Sequence, residues 1–332
     1  MSRNRLSNCL EFIGITTIVI ALVFGAVFTP PVLAAAADED VYRPIEVYRS
    51  IDGNSSVESL GKGVYVFRWR PGSYVSPFLV GGDEVVAVDP INREVARFYR
   101  DAIASVTSAP ITKIIYSHEH LDHIVGADVL APTASRYAHP NTAKWLAAHH
   151  ARILPLPTHT INNGDLITAG DRSIEVHYFG PNHGCGNVAL SFETDDGRLL
   201  SFADTIEIGI APYRSLPDTN FIGYIRSLEA AAALQPKWVL GGHSGPGPGV
   251  WLTNFLNYLL DMKDALAKAD EETDRLLPAV GESYIAANER YIGRIVDRAV
   301  SLMRPKYGHW RGFEQWAPMN AQTIRMAITI GK

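Results

Sequence analysis

Six consecutive residues, His118-Glu119-His120-Leu121-Asp122-His123, constrain this chain more than any other feature. They follow directly on Lys113–Tyr116 (KIIY), an apolar run that reads as a buried strand. The pattern H-x-H-x-D-H gathers three imidazoles and two carboxylates on a loop leaving a strand, which is the signature of a metal site. Neutral imidazole with carboxylate is a borderline ligand set that suits zinc, with iron or manganese as further candidates. Neighbouring side chains on such a loop point to different sides, so His118/His120 and Asp122/His123 need not serve one ion.

A catalytic metal needs about three protein ligands and an open position, so further donors are required. The sequence offers them after other apolar strands. Ile174–Phe179 leads to Gly180-Pro181-Asn182-His183-Gly184-Cys185-Gly186-Asn187, Leu199–Phe202 to Ala203-Asp204, and Trp238–Leu240 to Gly241-Gly242-His243-Ser244. Glycines beside the donors permit tight turns and close backbone approach. Glu119 is either solvent-facing or a support behind the ligands. Cys185 reads as a small residue of a Gly-rich turn, because the nitrogen and oxygen donors suffice without a thiolate. Asn187 either donates near the site or fixes the turn. His139, His149, His150, His159, His177 and His309 carry no motif and default to surface or structural roles.

The series H-x-H-x-D-H, G-x-x-H, A-D and G-G-H resembles the metallo-β-lactamase-fold hydrolase superfamily. Val85-Val86-Ala87-Val88-Asp89 is similar to that family's first motif, and the resemblance runs from about Val64 to Gly249. It implies an α/β fold, a four-layer αββα sandwich of two mixed sheets. It also implies two Zn²⁺, the first held by His118, His120 and His183, the second by Asp122, His123 and His243, with Asp204 bridging. Asp122 would in addition orient the nucleophile, a metal-bridging hydroxide attacking an ester, lactone, amide (β-lactam included) or related bond. A bridging aspartate is similar to the glyoxalase II and lactonase branches, whereas the Pro181–Asn187 and Gly242–Ser244 segments resemble true β-lactamases.

The rest of the chain alternates strands with helices, as an α/β fold requires. Val64–Arg70 and Tyr74–Val80 read as strands joined by Pro71-Gly72-Ser73, with Pro77 suggesting an edge or a bulge. Trp69 and Tyr74 at this hairpin, with Tyr213, Phe221 and Trp251, are candidates to touch substrate. Trp251–Ala269 and Asn288–Leu302 read as helices in a C-terminal extension, residues 251–332, that is open as a lid, a dimer surface or a packing layer.

Residues 1–37 combine a basic start (Arg3, Arg5), an apolar stretch from Phe12 to Phe28 and a run of small residues ending at Ala37. This is the pattern of a secretory signal peptide, with a retained anchor as the alternative. Cleavage would leave a catalytic domain over 38–250 and the extension, in a periplasmic or secreted protein with no stable membrane insertion. It removes Arg3, Arg5 and Glu11, leaving 28 basic and 34 acidic residues, a net charge of −6. An acidic chain argues against a nucleic-acid partner and for a small-molecule substrate, and a homodimer is compatible with the extension. Export disfavours glutathione thioesters and suits lactones, β-lactams, and sulfate or phosphate esters. The competing classes are a metal-binding accessory protein of the same fold, a sulfatase or phosphodiesterase-type member, and a diiron redox member, for which no flavin segment is evident.

Overall fold

A computed structural model describes residues 45–216, 220–275 and 277–331. The expected signal segment lies outside the described residues. An eight-stranded sheet is built, in order, from β1 (Ile45–Arg49), β2 (Ser55–Gly61), β3 (Val64–Trp69), β4 (Tyr74–Gly81), β5 (Glu84–Val88), β6 (Ile111–Ile115), β7 (Ser135–Ala138) and β8 (His159–Thr160). A six-stranded sheet takes β9 (Leu166–Ala169), β10 (Arg172–His177), β11 (Ala189–Thr194), β12 (Gly197–Ser201), β13 (Trp238–Leu240) and β14 (Gly247–Pro248). Both sheets are mixed: β5–β6–β7–β8 and β12–β13 pair in parallel, and the other neighbours are antiparallel. The helices are α1 (Arg93–Val106), α2 (Leu121–Ile124), α3 (Ala127–Leu130), α4 (Pro140–His149), α5 (Phe221–Ala233), α6 (Val250–Glu272), α7 (Tyr284–Tyr307) and α8 (Phe313–Ile330).

Strand periodicity explains the layers, because successive side chains face opposite ways. Val64, Val66, Val86, Val88 and Ile115 meet Ile174, Val176, Leu190 and Leu240 between the sheets. Phe67, Val85, Ala87 and Ile114 point outward under α1 and α3. On the other side Leu200 and Val239 pack beneath α5 and α6. The architecture is therefore αββα, and β5 is buried on both faces, which is why EVVAV reads as a continuous apolar run rather than an alternating one.

Pro77 is not at an edge. It lies in β4, between β3 and β5, opposite Val66. The β4–β5 ladder starts only at Phe78↔Ala87, so Pro77 falls just outside it, and its carbonyl accepts from the Tyr99 hydroxyl (3.0 Å). β1 and β2 were not signalled by strong apolar alternation. The extension is a helical packing layer. Phe255, Tyr258 and Leu259 of α6, Ile295 and Met303 of α7, and Phe313 and Ile324 of α8 share one core with α5 and the second sheet. α8 escapes sequence reading because Pro318 stands inside it, whereas helix patterns are expected to stop before proline.

Candidate metal centre

All the sequence-singled donors sit at the carboxyl ends of strands that converge on one end of the sandwich. Asp89 directly follows β5, and β6 runs into the segment 117–120 and then α2, which carries Asp122 and His123. β12 ends before Asp204 and β13 before His243. Asp89 and Asp204 both adopt positive φ (41° and 57°), a region Asp tolerates better than most residues and one that recurs at functional sites.

The structure brings the seven donors together in two groups. His118, His120, His183 and Asp204 offer atoms within 4.8 Å of one another, and so do Asp122, His123 and His243. Asp204 lies between the groups. Its Oδ2 is 3.2 Å from His123 Nε2, 3.5 Å from His183 Nε2 and 3.8 Å from His118 Nε2, while Oδ1 is 3.5 Å from His243 Nε2. A side chain at Gly242 would collide with this carboxylate, its Cβ falling 2.0 Å from Asp204 Oδ1, so glycine is required there.

Outer hydrogen bonds fix which nitrogen of each imidazole faces inward. Ser117 Oγ donates to Asp89 Oδ2 (2.6 Å), which leaves it to accept from His118 Nδ1 (2.8 Å). Asp89 also accepts from Ser117 N (2.8 Å) and lies 3.3 Å from His123 Nδ1. Both rings thus turn Nε2 toward the centre. A third donor group, Asp89 with His118 and His123, is this orienting layer seen from behind the rings.

The inward atoms fit a bound cation. His118 Nε2, His123 Nε2 and Asp204 Oδ1 are buried and make no hydrogen bond, close as the neighbouring donors are. Such orphans are costly unless something else satisfies them. Burial, then the neighbouring His123 and His120, hold the His118 pKa well below its usual value, and burial holds His183 down to about 4, so both rings are neutral and ligand-competent. Burial opposes charge on Asp204, but His123 and His243 outweigh it and keep the carboxylate ionised. Burial likewise opposes charge on His123, and Asp204 with Asp89 more than offsets it; a positive charge is favoured at this point. Nitrogen and oxygen donors of this kind suit zinc.

Two carboxylates behind the donors escaped the sequence reading in whole or in part. Glu119 is buried, accepting from Cys185 N (2.6 Å) and Thr142 Oγ1 (3.1 Å), so it braces the His183 loop against α4. Glu207 accepts from the Ser244 hydroxyl, whose oxygen in turn accepts from Ile208 N (2.8 Å). Burial, partly relieved by His243, pushes Glu207 up to about 7. Asn187 fixes the turn, its amide donating to Ala203 O (3.0 Å) and Thr205 Oγ1 (2.8 Å). Cys185 belongs to none of the donor groups. His177 bonds Ser191 (2.8 Å), and His139 caps α4 through Asn141 N (3.2 Å) and stacks on Tyr178.

The donors open into a cavity of about 690 Å³. Tyr74 enters it, its hydroxyl donating to Asp122 Oδ2 (3.2 Å), while Trp69 instead stacks on Phe98 outside the site. Tyr213 lines the cavity; Phe221 is in the core and Trp251 packs on Trp310. The far wall comes from the C-terminal layer: Phe255, Arg311 and Trp316. Nothing in the local sequence marks Arg311 or Trp316, because only the packing of α8 brings them there.

Residues 70–243 match the metallo-beta-lactamase superfamily. Among curated proteins, 168 residues are 34% identical to 2,4-dinitroanisole O-demethylase subunit alpha of Nocardioides sp., covering 49% of this chain and 50% of that one. A match of 99 residues is 33% identical to the exodeoxyribonuclease YycJ of Bacillus anthracis, covering 29% of this chain and 36% of the relative. The chain thus spans about half or less of the length of these relatives. Solved structures of a metallo-beta-lactamase from Erythrobacter litoralis (20% identity, TM-score 0.53, 63% of this chain and 97% of the other) and one from Pontibacter korlensis (16%, 0.51, 66% and 99%) share the fold.

Proposed function

The chain belongs to the metallo-β-lactamase superfamily, and from that premise we propose that it is a dinuclear metal-dependent hydrolase of small molecules. Zinc is the metal its donors suit best. The observation that carries the reading is the convergence of seven donors on buried, hydrogen-bond-orphaned atoms of His118, His123 and Asp204.

His118, His120 and His183 would hold one ion, and Asp122, His123 and His243 the other, with Asp204 between. Two bound divalent cations supply a water of lowered pKa and stabilise the negative charge that develops on the substrate oxygens. The protein's part is orientation. Asp89 and Ser117 lock the tautomers of His123 and His118. Asp122, with 49% of its side chain exposed at the cleft, is the group placed to accept a hydrogen bond from an incoming water. Tyr74 stays a neutral donor, because burial and then the charge on Asp122 push its phenol up. It holds the Asp122 carboxylate in one rotamer and closes one side of the cleft, its ring 4.7 Å from that of His243.

A cavity of this volume suits a small organic substrate rather than a polymer, which favours a small molecule over nucleic acid. Carboxylic, sulfate and phosphate esters, lactones and β-lactams form the substrate panel. The demethylase relative adds an aryl methyl ether. Export to the periplasm or medium, through the 1–37 segment, belongs to the same reading. Among the described residues no helix is long and apolar enough to cross a membrane. Metal analysis of the purified protein, combined with that panel, tests the proposal. Two ions per chain with metal-dependent turnover is expected. Two ions with no turnover would instead favour the accessory reading.

A further inference from the structure

Among the described residues that line the cavity, Arg311 is the only Arg or Lys. Its guanidinium has no hydrogen-bond or ion-pair partner among the described residues, unlike nearby Arg304, which is paired with Glu314. The backbone that carries it is nevertheless fixed. Arg311 N donates to Gly209 O (3.0 Å) and Arg311 O accepts from Ala211 N (3.0 Å), so its backbone is stitched to the loop that follows Asp204. Gly312 comes next at φ 78°, and the Trp316 ring lies over it so closely that a Cβ would fall 2.6 Å from Trp316 Cε3. One tight turn therefore presents a cation and an indole face side by side. Tyr213 packs edge-on to that indole (5.1 Å), and Ile210, Leu216 and Phe255 continue the apolar wall.

A guanidinium anchored through its backbone beside aromatic and aliphatic surface suits an anionic group on an apolar body. Its fork of donors matches a carboxylate or sulfonate bidentately, and its plane tolerates ring stacking. We propose that Arg311 is a specificity residue, and that the substrate is an aromatic or apolar small molecule carrying an anionic group distant from its scissile bond. The proposal rests on reading the cleft as a hydrolase site. The scissile bond lies toward Asp122 and Asp204, and the anion lies against the C-terminal turn.

The test uses metal-loaded wild type and Arg311→Gln. Hydrolysis is compared for 4-acetoxybenzoate and its neutral methyl ester, and calorimetry measures binding of the inert pair 2-naphthoate and 2-naphthamide. In wild type the anion should be favoured by roughly tenfold in Kd, as one charge-assisted pair gives. In Arg311→Gln the anion-to-neutral ratio should fall close to one in Kd, and the kcat/KM ratio should shift in the same direction through KM. An unchanged ratio overturns the proposal, since the anion would then be held elsewhere, for instance by the metals. Equal weakening of both partners overturns it too. If wild type turns over neither these esters nor any member of the substrate panel, the hydrolase reading fails while the naphthoate ratio still decides the role of Arg311.

Discussion

Asp89 Oδ2 lies 3.3 Å from His123 Nδ1, so the carboxylate just after β5 dictates which nitrogen of His123 faces the candidate metal centre. The same oxygen takes the Ser117 hydroxyl and, through it, sets His118. Asp89→Asn should therefore leave every donor in place yet loosen two rings. Metal affinity is expected to fall by about 10- to 100-fold, read by competition with a chromophoric chelator. An unchanged affinity would mean that the Asp89 carboxylate does not set the ring orientation.

The two donor groups differ in what each variant should remove. His243→Ala takes a donor from one group only and should lower the bound metal toward one ion per chain. Asp204→Ala removes the carboxylate that lies between the two groups and should weaken both. Hydrolysis should be abolished in each. Elemental analysis after dialysis checks the stoichiometry; two ions retained with full rate in either variant would disprove the assignment.

Glu207 and Ser244 link the loop after β12 to the His243 loop through a buried hydrogen bond. Glu207→Gln keeps an acceptor of the same shape, whereas Glu207→Ala leaves the Ser244 hydroxyl without one. The alanine variant should lose about 1–3 kcal/mol of stability and the glutamine variant less, in urea titrations of both. Equal loss in the two would show that the charge, not the hydrogen bond, matters.

Glu84 accepts from Lys113 Nζ and Thr112 Oγ1, both at 2.6 Å, and these hold its carboxyl down to about 2. Its folded value lies below the ordinary 4.5, so its stabilisation is fully present above about pH 4.5 and disappears as pH falls toward 2. The pair is partly solvent-screened and should contribute no more than about 1 kcal/mol. The stability gap between wild type and Glu84→Gln should close over that window and stay constant from pH 6 to 8. A gap that widened in acid would reverse the sign of the linkage.

Gly312 sits at φ 78° beneath Trp316. Gly312→Ala should cost at least about 1 kcal/mol from the backbone alone, and more because the indole must move. Tryptophan fluorescence should report the displaced ring. A variant as stable as wild type with an unaltered spectrum would show that the turn has room to spare.

The metal donors were readable because each follows its strand within a few residues, so local pattern and tertiary position coincide. Buried runs such as Val85–Val88 and the alternation of strands with helices made a layered α/β fold readable, whereas the four-layer sandwich followed only from the resemblance to the superfamily. What stayed hidden depends on distant packing. Glu119 is buried only because Cys185 N and Thr142 meet it. Glu207 matters only through Ser244, and Arg311 and Trp316 line the cleft only because α8 lies along the loop after Asp204. Pro77 misled because a proline is forbidden only where a ladder bond is due. Pro318 misled because tertiary burial of Phe313, Ala321 and Ile324 carries the helix through it.

The stitching of Arg311 to Gly209 and Ala211 has a consequence for the order in which the molecule becomes whole during synthesis. Every metal donor has been translated once His243 emerges, whereas the wall that faces them arrives only with Arg311 and Trp316. A nascent chain can thus possess its full ligand set while one side of the cleft is still missing. With Arg311 as the specificity residue proposed above, selectivity would be acquired after the donors of the centre.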